Sequence, residues 1–271
     1  MKPKLFCAYL FVFALCFSSA FAQSAKKTEA YTVGEKLVYE AKFNKAVFRG
    51  IAVADLNFSV ERASNDSDFL IKSEAKSKGT VAKLFKYKIY QNIQSTVDGS
   101  DFSVLKTVKR DEQDERVRDS IAVFNFKNRE VTYIENDPND TARAPRIVAS
   151  SIETGVQDLV TGIYTLRRLP LAVGKTFEIN ISDSGLVYKV SVRVTAREEI
   201  KSILGKNWCF RVEPDIFGDN RLIEQKGSMI VWITDDPRRL PVRSQINSNI
   251  GRVEVKLKSL NYNSDAPIKA K

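Results

Sequence analysis

Hydrophobic and polar residues alternate along most of this chain. Leu37, Tyr39, Ala41 and Phe43 fall on one side of an extended stretch, and Lys36, Glu40 and Lys42 fall on the other. Leu56, Phe58 and Val60 alternate with Asn57, Ser59 and Glu61, and Tyr188, Val190, Val192 and Val194 alternate with Lys189, Ser191, Arg193 and Thr195. A period of two, with one apolar and one wet face, marks half-buried antiparallel strands. The same pattern predicts strands over 69–77, 87–97, 102–109, 116–126, 130–135, 175–182, 207–212, 228–234, 240–246 and 252–262. A strand over 47–62 is long, and Gly50 within it predicts a bend or bulge. The acidic stretch 111–115 reads as a hairpin tip, and 136–149 reads as an irregular loop.

One segment changes period. Val156, Leu159, Val160, Ile163 and Leu166 recur at helical spacing within 155–168, with Arg167 and Arg168 in the last turn and Pro170 just beyond. Its apolar stripe predicts a helix packed on the sheet. Many strands and one helix imply a mainly-β protein. The expected architecture is a large curled antiparallel sheet, or an open or closed barrel, with one packed amphipathic helix. We read residues 34–262 as a single domain, with a flexible N-terminus over 23–33 and a polar tail over 263–271.

The start of the chain has a different character. Lys2 and Lys4 precede an apolar run from Leu5 to Phe17, and Ala20-Phe21-Ala22 has the small-x-small form of a cleavage site. These features predict an export signal over 1–22 and a periplasmic protein, soluble after cleavage. Cys16 follows Leu15, which is too large to precede a lipidated cysteine, so a lipid anchor is not expected. No transmembrane segment is expected in the mature chain.

Composition narrows the chemistry. There is no histidine, and outside the leader the only cysteine is Cys209. This removes Ser-His-Asp and Cys-His catalysis in their usual forms, and also His- or Cys-based zinc sites. We expect no cofactor and no metal. Asn136-Asp137-Pro138-Asn139-Asp140 crowds oxygen ligands but lacks the glycine and terminal glutamate of a calcium loop, so it reads as a turn. Cys209, between Trp208 and Phe210, reads as a buried apolar residue. The chain carries 43 basic and 33 acidic residues, a net +10. For an exported chain this suits an anionic envelope surface rather than nucleic acid.

Three segments resemble the bacterial family DUF3108. They are Gly34-Glu35-Lys36-Leu37-Val38-Tyr39, then Gln157-Asp158-Leu159-Val160-Thr161-Gly162-Ile163-Tyr164-Thr165-Leu166-Arg167, and Val231-Trp232-Ile233-Thr234-Asp235-Asp236 followed by Arg239-Leu240-Pro241-Val242. The resemblance implies an exported envelope protein and carries no activity. Its β-rich outline is also similar to the open barrels of periplasmic lipoprotein carriers. Within these segments Gly34 suits a tight turn, Asp158 a helix cap or a partner for Arg167 or Arg168, and Tyr164 an anchor of the helix. Trp232 suits a core strand, and Asp235-Asp236-Pro237 suits a hairpin turn before Leu240 and Pro241.

Function is read as binding rather than catalysis. Tyr39, Phe43, Phe58, Phe69, Tyr188, Trp208 and Trp232 are the candidates to line a concave apolar face for a lipid or acyl chain. Lys76, Lys78, Lys83, Lys86 and Lys88, interleaved with apolar residues, are the candidates to touch an anionic membrane surface. A docking protein for envelope assembly, with a protein partner at a sheet edge, is the alternative. A carboxylate-dependent glycan hydrolase using Glu153, Asp158, Asp235 or Asp236 is the third reading.

Overall fold

The computed structural model describes residues 31–45, 48–79, 81, 83 and 88–262. The leader with Cys7 and Cys16, residues 23–30, Lys86 and the tail 263–271 lie outside them. Fourteen strands form one antiparallel sheet. They are β1 (Glu35–Lys45), β2 (Phe48–Arg62), β3 (Phe69–Ser77), β4 (Ile89–Val97), β5 (Val104–Gln113), β6 (Arg116–Asn125), β7 (Glu130–Asn136), β8 (Arg146–Ser151), β9 (Thr176–Asp183), β10 (Leu186–Ser202), β11 (Gly205–Pro214), β12 (Gly227–Thr234), β13 (Pro241–Ser248) and β14 (Gly251–Tyr262). One helix, α1 (Leu159–Arg168), lies between β8 and β9.

The sheet order is β8-β7-β6-β5-β4-β3-β2-β1-β14-β13-β12-β11-β10-β9. The chain therefore walks outward from β1 to one edge, crosses by α1 to the opposite edge, and walks back until β14 meets β1. Strands β8 and β9 are neighbours in sequence and lie at opposite ends of the sheet. The sheet curls without closing into a barrel. This is the mainly-β curled sheet with one helix that the alternation predicts.

Two contacts draw the ends of the curl together. Before α1, the Gln157 N–H donates to Asn180 O (2.9 Å) and Gln157 O accepts from the Ser182 N–H (2.7 Å), so this segment lies alongside β9. Gly185, in the β9–β10 turn, has φ +82°, and a Cβ there would fall 2.7–2.9 Å from Val148 and Tyr133. Only a residue without a side chain lets that turn lie so close to β7 and β8.

The sequence reading places 136–149 in a loop, whereas residues 146–151 form β8. Its neighbouring apolar residues Ile147 and Val148 point to opposite faces, so the strand shows no alternation. It pairs on one side only, with β7. The predicted acidic tip also shortens, because β5 runs to Gln113 and β6 restarts at Arg116. The helix begins at Leu159 and not at 155. Gly155 has φ +81°, and Asp158 is the N-cap.

The helix is short, and buried on more than one side. Val160 and Tyr164 pack with Val60, Ile71, Ile93, Val97 and Phe102 from the β2–β5 region. Leu166 joins Ile179, Ile181, Val190, Val192, Phe210, Val231 and Ile233 from β9–β12. A ten-residue helix is only about 15 Å long. It fills the interior against β2–β4 and leaves room on its other side.

Candidate functional site

That room is a cavity of about 540 Å³ between α1 and the inner faces of β9–β14, β1 and β2. Leu159, Gly162, Ile163, Tyr164 and Leu166 of α1 form one wall. Ile179, Ile181, Val190, Val192, Met229, Val231, Ile246 and Val255 form the sheet wall, and Leu37, Tyr39, Leu56 and Phe58 close it on the β1–β2 side. Ile216, Leu222 and Ile223, between β11 and β12, add a further side. Polar groups are few: Asp183, Arg243 and Ser244. An engineered cavity of roughly 150 Å³ lined by aliphatic residues stays dry and takes up benzene. This one is several times larger and predominantly apolar.

Gly162 sets the width at the helix wall. A Cβ there would fall 2.6 Å from Ile181 Cδ1, so the glycine brings α1 against β9. Asp158 sets the position of the helix start. Its Oδ1 accepts from the Val160 and Thr161 N–H groups (2.9 and 2.7 Å), and the Thr161 hydroxyl accepts from the Asp158 N–H (2.9 Å) in a capping box. Its Oδ2 accepts from the Ser95 and Thr107 hydroxyls on β4 and β5. The aspartate therefore caps the helix and fixes it to two strands, and does not pair with an arginine.

The three DUF3108-like segments converge at the far end of α1. Arg167 donates to both carboxylate oxygens of Glu35 (2.6 and 2.8 Å) and to Arg238 O (3.2 Å). Tyr39 donates its hydroxyl to Pro241 O (2.9 Å), and Pro241 itself lines the cavity. Burial works against the charge of Arg167, but the Glu35 carboxylate outweighs it and raises the pKa. Burial also holds the Tyr39 and Tyr164 hydroxyls protonated well above the usual phenol range. The Tyr164 hydroxyl is buried without a hydrogen-bond partner among the described residues, and the Arg167 guanidinium lies 5.1 Å from its ring centroid. Gly34, φ +89°, makes the turn ahead of β1 and donates to Val60 O (2.8 Å).

Of the seven apolar candidates, the structure brings Tyr39 and Phe58 together on the cavity wall, their rings edge to face at 5.7 Å. Phe69 packs with Tyr31, away from the cavity lining. Phe43 lies beside Gly251. Tyr188 is half-buried on β10, opposite Ile181. Trp208 is half-exposed beneath Arg197, 4.6 Å away. Trp232 is buried with Cys209, Leu240 and Val242, and its indole N–H donates to Glu198 (2.9 Å). The rest of the lining is mostly aliphatic. Its signal in the sequence is the period-two run of Val, Ile and Leu in β9, β10, β12 and β13.

The lysine candidates do not share one environment. Lys78 reaches back to Glu40 (2.9 Å) and Asp55 (3.0 Å). Lys76, Lys83 and Lys88 are exposed. Glu40 also contacts Lys42 (3.3 Å) and Lys258 (3.5 Å). The hydrogen bond from Lys78 leads the effects that lower its pKa to about 2. The candidate acids are likewise engaged. Asp235 holds Arg197 and Arg239 (2.7 and 3.1 Å), Asp236 holds Arg238 (2.8 Å), and Glu153 reaches Asn180 (3.5 Å). Burial raises the pKa of Cys209 to about 11. Among the described residues no cluster of three or more His, Cys, Asp or Glu is placed to hold a metal ion. No helix among them is long and apolar enough to cross a membrane.

A family model described as "Protein of unknown function (DUF3108)" matches residues 38–258. No curated protein matches the chain. Among solved structures, the chain is similar to a β-barrel-like protein of the domain of unknown function DUF1849 from Brucella abortus. The TM-score is 0.57 at 9% identity, over 86% of this chain and 98% of that one. A protein with a YmcC-like fold from Bacteroides fragilis aligns with a TM-score of 0.32 at 11% identity, over 85% of this chain and 96% of that one. The first likeness shows the fold alone.

Proposed function

The chain belongs to the DUF3108 family, whose description assigns no activity, and we propose from its own geometry that it is an envelope protein that binds the hydrocarbon part of a lipid. The carrying observation is the cavity of about 540 Å³ walled by aliphatic side chains. Its volume and its few polar groups match a small-molecule site. Each CH₂ moved into it from water contributes roughly 0.8 kcal/mol, so one acyl chain supplies ample driving force. The ligand's polar end has no place among the aliphatic walls and stays near Asp183, Arg243 or Ser244.

The predicted leader supports a location in the envelope, where such chains are abundant. The lack of histidine, together with a buried thiol, supports binding without covalent chemistry. The glycan-hydrolase alternative needs two carboxylates facing one cleft, and the candidate acids are instead engaged in caps and turns.

Native mass spectrometry of protein purified from membrane-bearing cells tests the reading. A retained mass of lipid, displaced one-for-one by a fluorescent fatty acid, is the expected result. A ligand-free protein that takes up no fatty acid overturns it.

A further inference from the structure

Four exposed β-branched side chains stand in line across the outer face of the sheet. Val108 on β5 pairs opposite Ile121 on β6, Ile121 opposite Ile134 on β7, and Ile134 opposite Ile147 on β8. Their exposures are 40, 40, 37 and 64%, rising at the edge. Single exposed apolar residues are ordinary on a protein surface. A row in register across four adjacent strands is a continuous patch.

The row ends where the sheet ends. Beyond its ladder with β7, the backbone of 146–151 makes no hydrogen bond among the described residues. Natural edge strands are blunted by short length, charged side chains, proline, a bulge or a covering segment. Strand β8 has Pro145 before it and Arg146 at its first position, but Ile-Val-Ala-Ser-Ser follows without charge or proline and pairs regularly with β7; the β9–β10 turn meets it at Val148, on the inner face, and leaves the outer-face Ile147 exposed. At the opposite edge, β9 is engaged by Gln157 on either side of Ile181.

We propose that β8 pairs antiparallel with β8 of a second copy of this chain, joining two sheets about a two-fold axis. The occupant of this edge must bring an extended backbone and an apolar outer face in matching register, and a second copy supplies both. Antiparallel pairing that keeps the two outer faces together sets Ile147 opposite the partner's Ile147 or the partner's Ala149. The one charge of the strand, Arg146, then faces the partner's Val148 or the partner's Ser150, so no like charges oppose each other. The row continues unbroken from one protomer into the other. A two-fold pairing also closes on itself, whereas a head-to-tail addition leaves an edge that goes on growing. The contact between two six-residue strands is small, so the dimer belongs to the weak, reversible class. None of this depends on what fills the cavity.

Sedimentation velocity on protein purified after export, over a wide range of concentrations, tests the proposal. A monomer–dimer equilibrium is expected. Ile147→Lys with Ala149→Lys, two exposed outer-face positions, shifts it to monomer with an unchanged far-ultraviolet spectrum. Val173→Lys, at an exposed apolar residue outside the sheet, leaves it intact. Should the double-lysine variant misfold, Ile147→Cys and Ala149→Cys, singly and mixed, report the same contact by oxidative cross-linking between copies. A monomer at every concentration overturns the proposal. So does a dimer that persists in the folded lysine variant, or a dimer that no cysteine pair cross-links.

Discussion

Arg167, near the end of α1, grips Glu35, the first residue of β1, through two hydrogen bonds of 2.6 and 2.8 Å, with both side chains at most 2% exposed. The residues are 132 positions apart in the chain. The pair ties the inserted helix to the strand at the centre of the sheet. Removing one partner leaves the other charged in a dry interior, which costs about 3–5 kcal/mol. Glu35→Gln and Arg167→Met are each expected to lose that much in urea unfolding. The double replacement Glu35→Gln with Arg167→Met is expected to lose less than the sum, because no orphan charge remains. Strict additivity would contradict a coupled pair.

Asp158 has two tasks, and substitutions separate them. Asp158→Ala removes the helix cap, at about 1–2 kcal/mol. It also leaves the Ser95 and Thr107 hydroxyls without their shared acceptor, and each orphaned buried hydroxyl adds roughly 1–3 kcal/mol. Asp158→Asn keeps the capping oxygen and is expected to cost less. If Asp158→Asn unfolds at the same denaturant concentration as the unmodified protein, the fixing of the helix to β4 and β5 contributes nothing.

Gly185 holds the two ends of the curl together. Gly185→Ala forces a side chain into the left-handed region, at about 1–2 kcal/mol, and overlaps Val148 and Tyr133, at roughly 1–3 kcal/mol more. Faster amide exchange in β8 and in the β9–β10 turn is the expected local signature, with β1 and β14 little changed. Uniform exchange across the sheet would show that this turn does not hold the ends.

Glu40 carries a pH dependence. Its pKa falls from 4.5 to about 2 in the folded protein, through the hydrogen bond from Lys78 and the lysines around it. A carboxylate with a depressed folded pKa stabilises fully above its unfolded value and loses that contribution as pH falls toward the folded one. Stability is therefore expected to decline between pH 4.5 and about 2, and more shallowly in Glu40→Gln. Identical pH profiles for the two proteins would remove Glu40 from the account.

The cavity makes its own prediction. Ile246 lies half-buried on its wall, and Ile246→Trp fills part of the volume without touching the Glu35–Arg167 junction. Fatty-acid affinity is expected to fall at least tenfold while the unfolding midpoint holds or rises. Undiminished binding would place the ligand elsewhere.

Much of the architecture was legible before any coordinates. Period two in Leu37–Phe43 and Tyr188–Val194 marked strands with one inner face, and the change of period after 155 marked the helix, because these patterns are local consequences of backbone geometry. Strand β8 was not legible. An edge strand needs no alternation, and its neighbours Ile147 and Val148 point one outward, largely exposed, and one inward.

The cavity was partly legible. The alternation named the residues that face inward, Tyr39 and Phe58 among them. It could not say which inward residues meet the helix and which face empty space. That depends on how far a twisted fourteen-strand sheet curls and where one short helix lodges inside it. The placement is set by contacts between residues far apart in the chain, such as Glu35 with Arg167 and Gly185 with Val148, which no local pattern encodes. Composition determined what chemistry was absent, since a chain without histidine has none wherever it folds. Only the tertiary structure decided where the interior stayed open, because packing is a property of surfaces brought together and not of the order in which they occur.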